Sequence, residues 1–145
     1  MLDDISRIFI DQYAPMKHIV LLFGIALLSL SATAQEVKCK KGVVYVDGAE
    51  CLTYEKTTNI MFTFSTLEGK EIMMLKFPRH PITSKIAAQV TFMEAQKVVS
   101  SESYVFNKKV LIEKLLKEGT LENCDINPEK IDSFGLKYNE EIDGY

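Results

Sequence analysis

Between residues 37 and 103 the chain alternates apolar and polar side chains in short runs, and each run ends at a turn signal. A period of two places successive side chains on opposite faces, so these runs can bury one face only as strands of a sheet. "VKCKKGVVYVDGAECLTYEK" carries β-forming residues on both sides of Asp47-Gly48, a dipeptide that favours the tight turn of a hairpin. "NIMFTF" sets Ile60, Phe62 and Phe64 on one face and Met61, Thr63 and Ser65 on the other. "LEGKE" reads as a turn, after which Met73, Leu75 and Phe77 of "IMMLKF" share a face. Pro78 and Pro81 in "PRHPITS" remove backbone donors and hold their predecessors extended, which predicts a surface loop. "KIAAQVTFME" and "KVVSSES" give two further strands about a turn at "EAQK", although Ala87-Ala88-Gln89 would also suit a helix. Short connections between consecutive strands imply antiparallel neighbours, a meander of about five to seven strands.

The period changes after Asn107. In "NKKVLIEKLLKE" apolar residues recur at Leu111, Ile112, Leu115 and Leu116, the spacing of one helical stripe. Asn107 can cap the first turn, Lys114 and Lys117 suit the negative end of the helix dipole, and Gly119 supplies a stop. Asn127-Pro128 signals a second, short helical turn. "SFGLKY" reads as a return to strand, and the acidic end "NEEIDGY" as a fraying tail. Strands in succession followed by an amphipathic helix define an α+β domain in which the helix lays its stripe on one sheet face.

Ahead of this body stands "MKHIVLLFGIALLSLSATAQ" at 16–35. A basic head, an apolar middle and small residues at Ala32 and Ala34 form the pattern of a secretory signal peptide, cleaved between Ala34 and Gln35. The uncharged run from Ile19 to Ala34 is 16 residues, short of the roughly 20 needed for a transmembrane helix. Residues 1–15, "MLDDISRIFIDQYAP", hold three aspartates and cannot serve as its positive head, so Met16 reads as the true start. The mature chain would then be residues 35–145, a single domain of 111 residues with no stable membrane span, placed in the periplasm, the outer envelope or the medium.

Of the 17 Lys+Arg, only Arg7 and Lys17 lie before Gln35, and of the 20 Asp+Glu, only Asp3, Asp4 and Asp11 do; the mature net charge is therefore 15 against 17, or −2. That balance argues against a nucleic-acid partner, which needs a basic face. Cys39, Cys51 and Cys124 all fall in the mature part, and an exported chain meets oxidising conditions. Three cysteines allow at most one internal bridge. With one hairpin about Asp47-Gly48, Cys51 faces Val44 and Cys39 lies about 17 Å further along. With an extra turn at Lys41-Gly42, Cys39 and Cys51 flank Val44 at about 9.6 Å. Both exceed the roughly 7 Å that a disulfide spans between Cα atoms. A bridge would join Cys124 to Cys39 or to Cys51; three unbridged, buried thiols are the alternative.

Catalytic chemistry finds little support. A nucleophilic Cys124 beside Asp125 would need His80, which stands between Arg79 and Pro81 in the proline-bracketed loop and reads as a solvated histidine. "DINPEK" places Asp125, Asn127 and Glu129 like the start of a calcium loop, but Lys130 occupies the glycine position and Leu136 the position of the bidentate glutamate. No metal-ligand spacing or phosphate-binding glycine loop occurs, so no cofactor is implied. The aromatic residues and Met61, Met73, Met74 and Met93 read as core and gap-filling positions.

The leader ending "ATAQ", the strand-rich "KGVVYVDG" and the lysine-rich helix "KKVLIEKLLKEG" together resemble small exported proteins of unknown function from Bacteroidetes-type bacteria. The resemblance implies export and adds no activity. The expectation is a non-enzymatic binding or interaction module of the cell envelope, engaging a protein, peptide or glycan through a sheet face or strand edge, with a small cysteine-dependent hydrolase or redox protein as the alternative.

Overall fold

The computed structural model describes residues 34–104 and 106–145; the leader and the residues before it lie outside the described part, apart from Ala34. Seven strands follow one another in a sheet whose spatial order is the chain order: β1 (Val37–Lys40), β2 (Val43–Val46), β3 (Ala49–Thr58), β4 (Met61–Thr66), β5 (Glu71–Lys76), β6 (Ala88–Phe92) and β7 (Lys97–Ser101). Every neighbouring pair is antiparallel. Helix α1 (Lys108–Lys117) is followed by a small hairpin of β8 (Leu121–Glu122) and β9 (Asp125–Ile126), a 3-10 turn at Pro128–Lys130 and helix α2 (Ile131–Tyr138). The class is α+β, as the periodicity predicts.

Local chemistry explains the turns. Lys41 and Gly42 have φ of 51° and 80°, and Asp47 and Gly48 have 51° and 81°. Two successive positive φ values match a two-residue hairpin turn to the right-handed twist of its strands. Both hairpin turns weighed from sequence therefore form, and β1, β2 and β3 fold back on one another. At Gly42 a Cβ would also crowd the carbonyl oxygen of Tyr54, only 3.3 Å away.

The strict alternation predicted from sequence is broken by bulges, and these decide what is buried. Val44 faces Leu52 and Tyr45 faces Glu50, leaving Cys51 as the extra residue. Phe64 faces Met73 and Ser65 faces Glu71, leaving Ile72 as the extra residue. At each site two consecutive residues enter the core, Cys51 with Leu52 and Ile72 with Met73. The expected pairing of Cys51 with Val44 is thus shifted by one residue.

Val44, Leu52, Phe64, Met73, Leu75, Val90 and Phe92 form the buried face of the sheet. Leu111, Ile112 and Leu115 of α1 and Ile131, Phe134 and Tyr138 of α2 join it in one cluster. Helix α1 behaves as its sequence predicts: Asn107 accepts a hydrogen bond from Val110 N–H at 2.8 Å, and Gly119 follows the last turn with φ 73°.

Two expectations fail. "SFGLKY" is helical, because the Asn127-Pro128 start carries on through the 3-10 turn into α2. Ile131, Phe134 and Tyr138 recur at helical spacing, and Leu136, which a strand would place beside Phe134, is 90% exposed. The tail does not hang free either. Glu140 N–H donates to Ser100 O at 2.8 Å, and Tyr145 Oη donates to Glu102 Oε1 at 2.6 Å.

Thr120, between α1 and β8, is fully buried, and its hydroxyl has no partner among the described residues. An unsatisfied buried hydroxyl costs about 1–3 kcal/mol. Thr120→Val keeps the shape and removes the hydroxyl, so it is expected to raise the unfolding free energy by about 1 kcal/mol, read from the urea midpoint.

Candidate functional site

Cys51 is bonded to Cys124, with 5.2 Å between their Cα atoms and a separation of 73 positions in sequence. The β3 bulge turns Cys51 to the helical side of the sheet, and the β8–β9 turn presents Cys124 there. That turn holds Asn123 at φ 51° and Cys124 at 57°, a left-handed conformation seldom taken by cysteine. Cys39 is left unbridged and half-buried on β1. Its register partner Val44 faces Leu52 in turn, so β2 lies between Cys39 and β3. Burial pushes the Cys39 thiol above its ordinary pKa, partly offset by Lys108 and Lys109, which is the opposite of what activates a nucleophile.

His80 and Cys124 have separate partners. His80 Nδ1 accepts from the backbone N–H groups of Ile82 and Thr83, both at 3.1 Å, and so ties the β5–β6 loop. Its ring lies edge-on to Tyr145, with centroids 5.3 Å apart. The predicted solvated histidine is thus a loop-fastening one. Asn127 caps the 3-10 turn by accepting from Glu129 N–H at 3.1 Å, while Asp125 lies 3.8 Å from Lys70. Among the described residues no three His, Cys, Asp or Glu side chains converge as metal ligands. The cavity beneath Lys70, Glu94 and Asp125 holds about 20 Å³, space for a single water.

What remains is surface architecture. Both helices pack on one face of the sheet. On the other face the register lines up Thr63, Met74, Thr91 and Val98 across β4 to β7, with Val43, Tyr45 and Thr53 towards the β1 side. These side chains are half-buried or exposed, and no helix among the described residues covers them. This face, with its threonines and valines, Met74 and Tyr45, offers a broad and chemically mixed surface.

The two edges of the sheet differ. At β7 the outward groups of Ser100 are both taken: its N–H donates to Asn139 Oδ1 at 2.9 Å and its carbonyl accepts from Glu140 N–H at 2.8 Å. The Glu140 carboxylate also accepts from Ser101 Oγ at 2.8 Å and from Glu102 N–H at 3.2 Å. At β1, by contrast, β2 is the sole strand partner; helix α1 packs against β1, but no backbone hydrogen bond among the described residues reaches its outer side.

The tail contact depends on charge. Hydrogen bonding from Ser103, and then from Ser101, holds the Glu140 carboxyl below its ordinary pKa, and the Tyr145 hydroxyl does the same for Glu102. Burial and the bond to Glu102 push Tyr145 up to about 12. A carboxyl whose pKa is lowered by docking stabilises the docked tail fully above the free glutamate value of about 4.3, and the contribution is lost as pH falls through the lowered value. Acidification below about pH 4 is therefore expected to release the tail and speed amide exchange at Ser100 and Glu140. In Glu140→Gln these amides should already exchange faster at pH 7 and respond less to acid.

No family model, curated protein or solved structure matches the chain. Sequence reasoning did not find the β8–β9 hairpin, whose Asn123-Cys124 turn lacks glycine, or the tail seal on β7. Asn123, a residue tolerant of positive φ, was the one available signal for the hairpin.

Proposed function

We propose that the chain is exported and serves as a non-enzymatic binding module of the cell envelope, taking up a protein, peptide or glycan on its sheet. The observation that carries this reading is the contrast within the sheet: one face is packed by helices and one edge sealed by the tail, while the opposite face and edge are left open among the described residues. Four features support it. The 16–34 leader has the three-part pattern of an export signal. The Cys51–Cys124 bridge suits an oxidising compartment, and no helix among the described residues is long and apolar enough to cross a membrane. While Cys51 and Cys124 are bonded to each other, neither is available as a nucleophile, which disfavours a cysteine hydrolase.

Cell fractionation with mass measurement tests export: a product beginning at Gln35 in the envelope or medium is expected, and an intact 145-residue product in the cytosol would overturn the reading. A photo-cross-linking residue at Thr91, on the open face, or at Lys40, beside the open edge, should form an adduct in intact cells. One at Glu129, on the exposed 3-10 turn, should not.

A further inference from the structure

We propose that the outer edge of β1 is a strand-addition site for an extended acidic peptide; this rests on the binding-module reading and supplies the chemistry of the partner. The register identifies the free groups. Asp47 N–H donates to Glu36 O at 2.8 Å, so in the antiparallel pair the backbone groups of Glu36, Lys38 and Lys40 point towards β2. Those of Val37 and Cys39 point away from it, into the open edge. They present two N–H donors and two carbonyl acceptors at the spacing a further antiparallel strand would match.

Charge selects the occupant. The protein as a whole carries a formal net charge of −3. Its β1 end reverses that sign, with Lys38, Lys40 and Lys41 on the strand and its turn, and Lys108 and Lys109 on the first turn of α1, which packs against β1 and holds the Lys108 ammonium 4.1 Å from the centroid of the Phe62 ring. The acidic side chains there are Glu36, 3.2 Å from Lys38, Asp47, whose carboxylate accepts from Glu36 N–H at 2.8 Å, and Glu113, 3.7 Å from Lys109, three against five lysines. Glu50 faces Tyr45, which faces Lys38, and so stands about 10 Å inward, two strand spacings away. A second copy pairing edge to edge about Cys39 would set Lys38 against Lys40 on both sides, a repulsion that edge lysines commonly supply. The same charges attract a strand with carboxylates at alternate positions. On such a strand the residues opposite Lys38 and Lys40 carry the acidic side chains, and those opposite Val37 and Cys39 exchange backbone hydrogen bonds.

The test uses the full chain and a fluorescein-labelled peptide, Thr-Glu-Val-Glu-Val-Thr-Thr, followed by fluorescence anisotropy and by amide shifts of the protein. The acidic peptide is expected to bind, to shift the amides of Val37 and Cys39 most, and to weaken with added salt. N-methylation of its two valines removes the donors that face β1 while keeping every charge, and should weaken binding at least tenfold. A lysine-for-glutamate peptide should not bind, and the paired substitution K38E and K40E should weaken the acidic peptide at least tenfold. Equal binding by the N-methylated peptide, shifts centred elsewhere, or dimerisation through β1 in place of peptide uptake would overturn the proposal. So would absence of binding; if the Thr91 cross-link to an envelope partner then persisted, the strand-addition site would fall and the binding-module reading would stand.

Discussion

Replacing Cys51 and Cys124 together with alanine is expected to lower the unfolding free energy by about 4 kcal/mol. The bridge spans 73 residues, and the entropy removed from the unfolded chain by a loop of this size lies between about 3 kcal/mol for 15 residues and 4.7 kcal/mol for 100. For a domain near 110 residues this corresponds to a thermal midpoint lower by roughly 15–25 °C. The loss should be this large because the bridge is the one covalent tie between the sheet and the hairpin that carries the chain into α2. Without it, Cys124 must hold its left-handed conformation by hairpin pairing alone. Reduction of the unsubstituted protein should reproduce the midpoint of the double variant. Cys39→Ala, which breaks no bond, should change stability by less than about 1 kcal/mol. Thermal unfolding with and without reductant checks all three, and a bridge contribution near zero would refute the assigned role.

Phe134→Ala is expected to cost about 3–5 kcal/mol, the usual range for emptying a buried phenylalanine site. Phe134 is fully buried and meets Phe92, Phe106 and Tyr138, with ring centroids 6.0, 6.5 and 4.8 Å away. Leu136→Ala, two residues on, should cost less than about 0.5 kcal/mol, because Leu136 is 90% exposed. The pair discriminates between secondary structures. In a strand, residues 134 and 136 share a face and both substitutions would be costly; in a helix they lie about 200° apart. Urea unfolding of the two variants reads the difference directly, and comparable losses would contradict α2.

The same segment shows why sequence reading runs short. Phe134 and Tyr138 satisfy both a period of two and a helical spacing, so eight residues offer no arbiter except Ile131 and Leu136. Burial of Ile131 settles the matter, and burial is a tertiary fact. The meander was legible because each strand carries its own alternation and each turn its own dipeptide, Asp47-Gly48 above all. The bulges at Cys51 and Ile72 were not, since an inserted residue leaves no local mark and is fixed by what the core must hold. Elimination of a Cys39–Cys51 bridge needed only strand spacing, whereas the choice of Cys51 over Cys39 for Cys124 depended on where the later hairpin docks. The open β1 edge could be suspected from its lysines. The sealed β7 edge could not, because its cover comes from Asn139 and Glu140, far along the chain.

Peptide mapping of the native protein without reductant tests the disulfide-tied sheet most directly. Trypsin cuts after Lys41, Lys56, Lys117 and Lys130, so the account predicts residues 42–56 joined through Cys51 to residues 118–130 through Cys124, with Cys39 released as an unlinked fragment. Linkage of Cys39 to either of the other cysteines, or recovery of three free thiols, would contradict it.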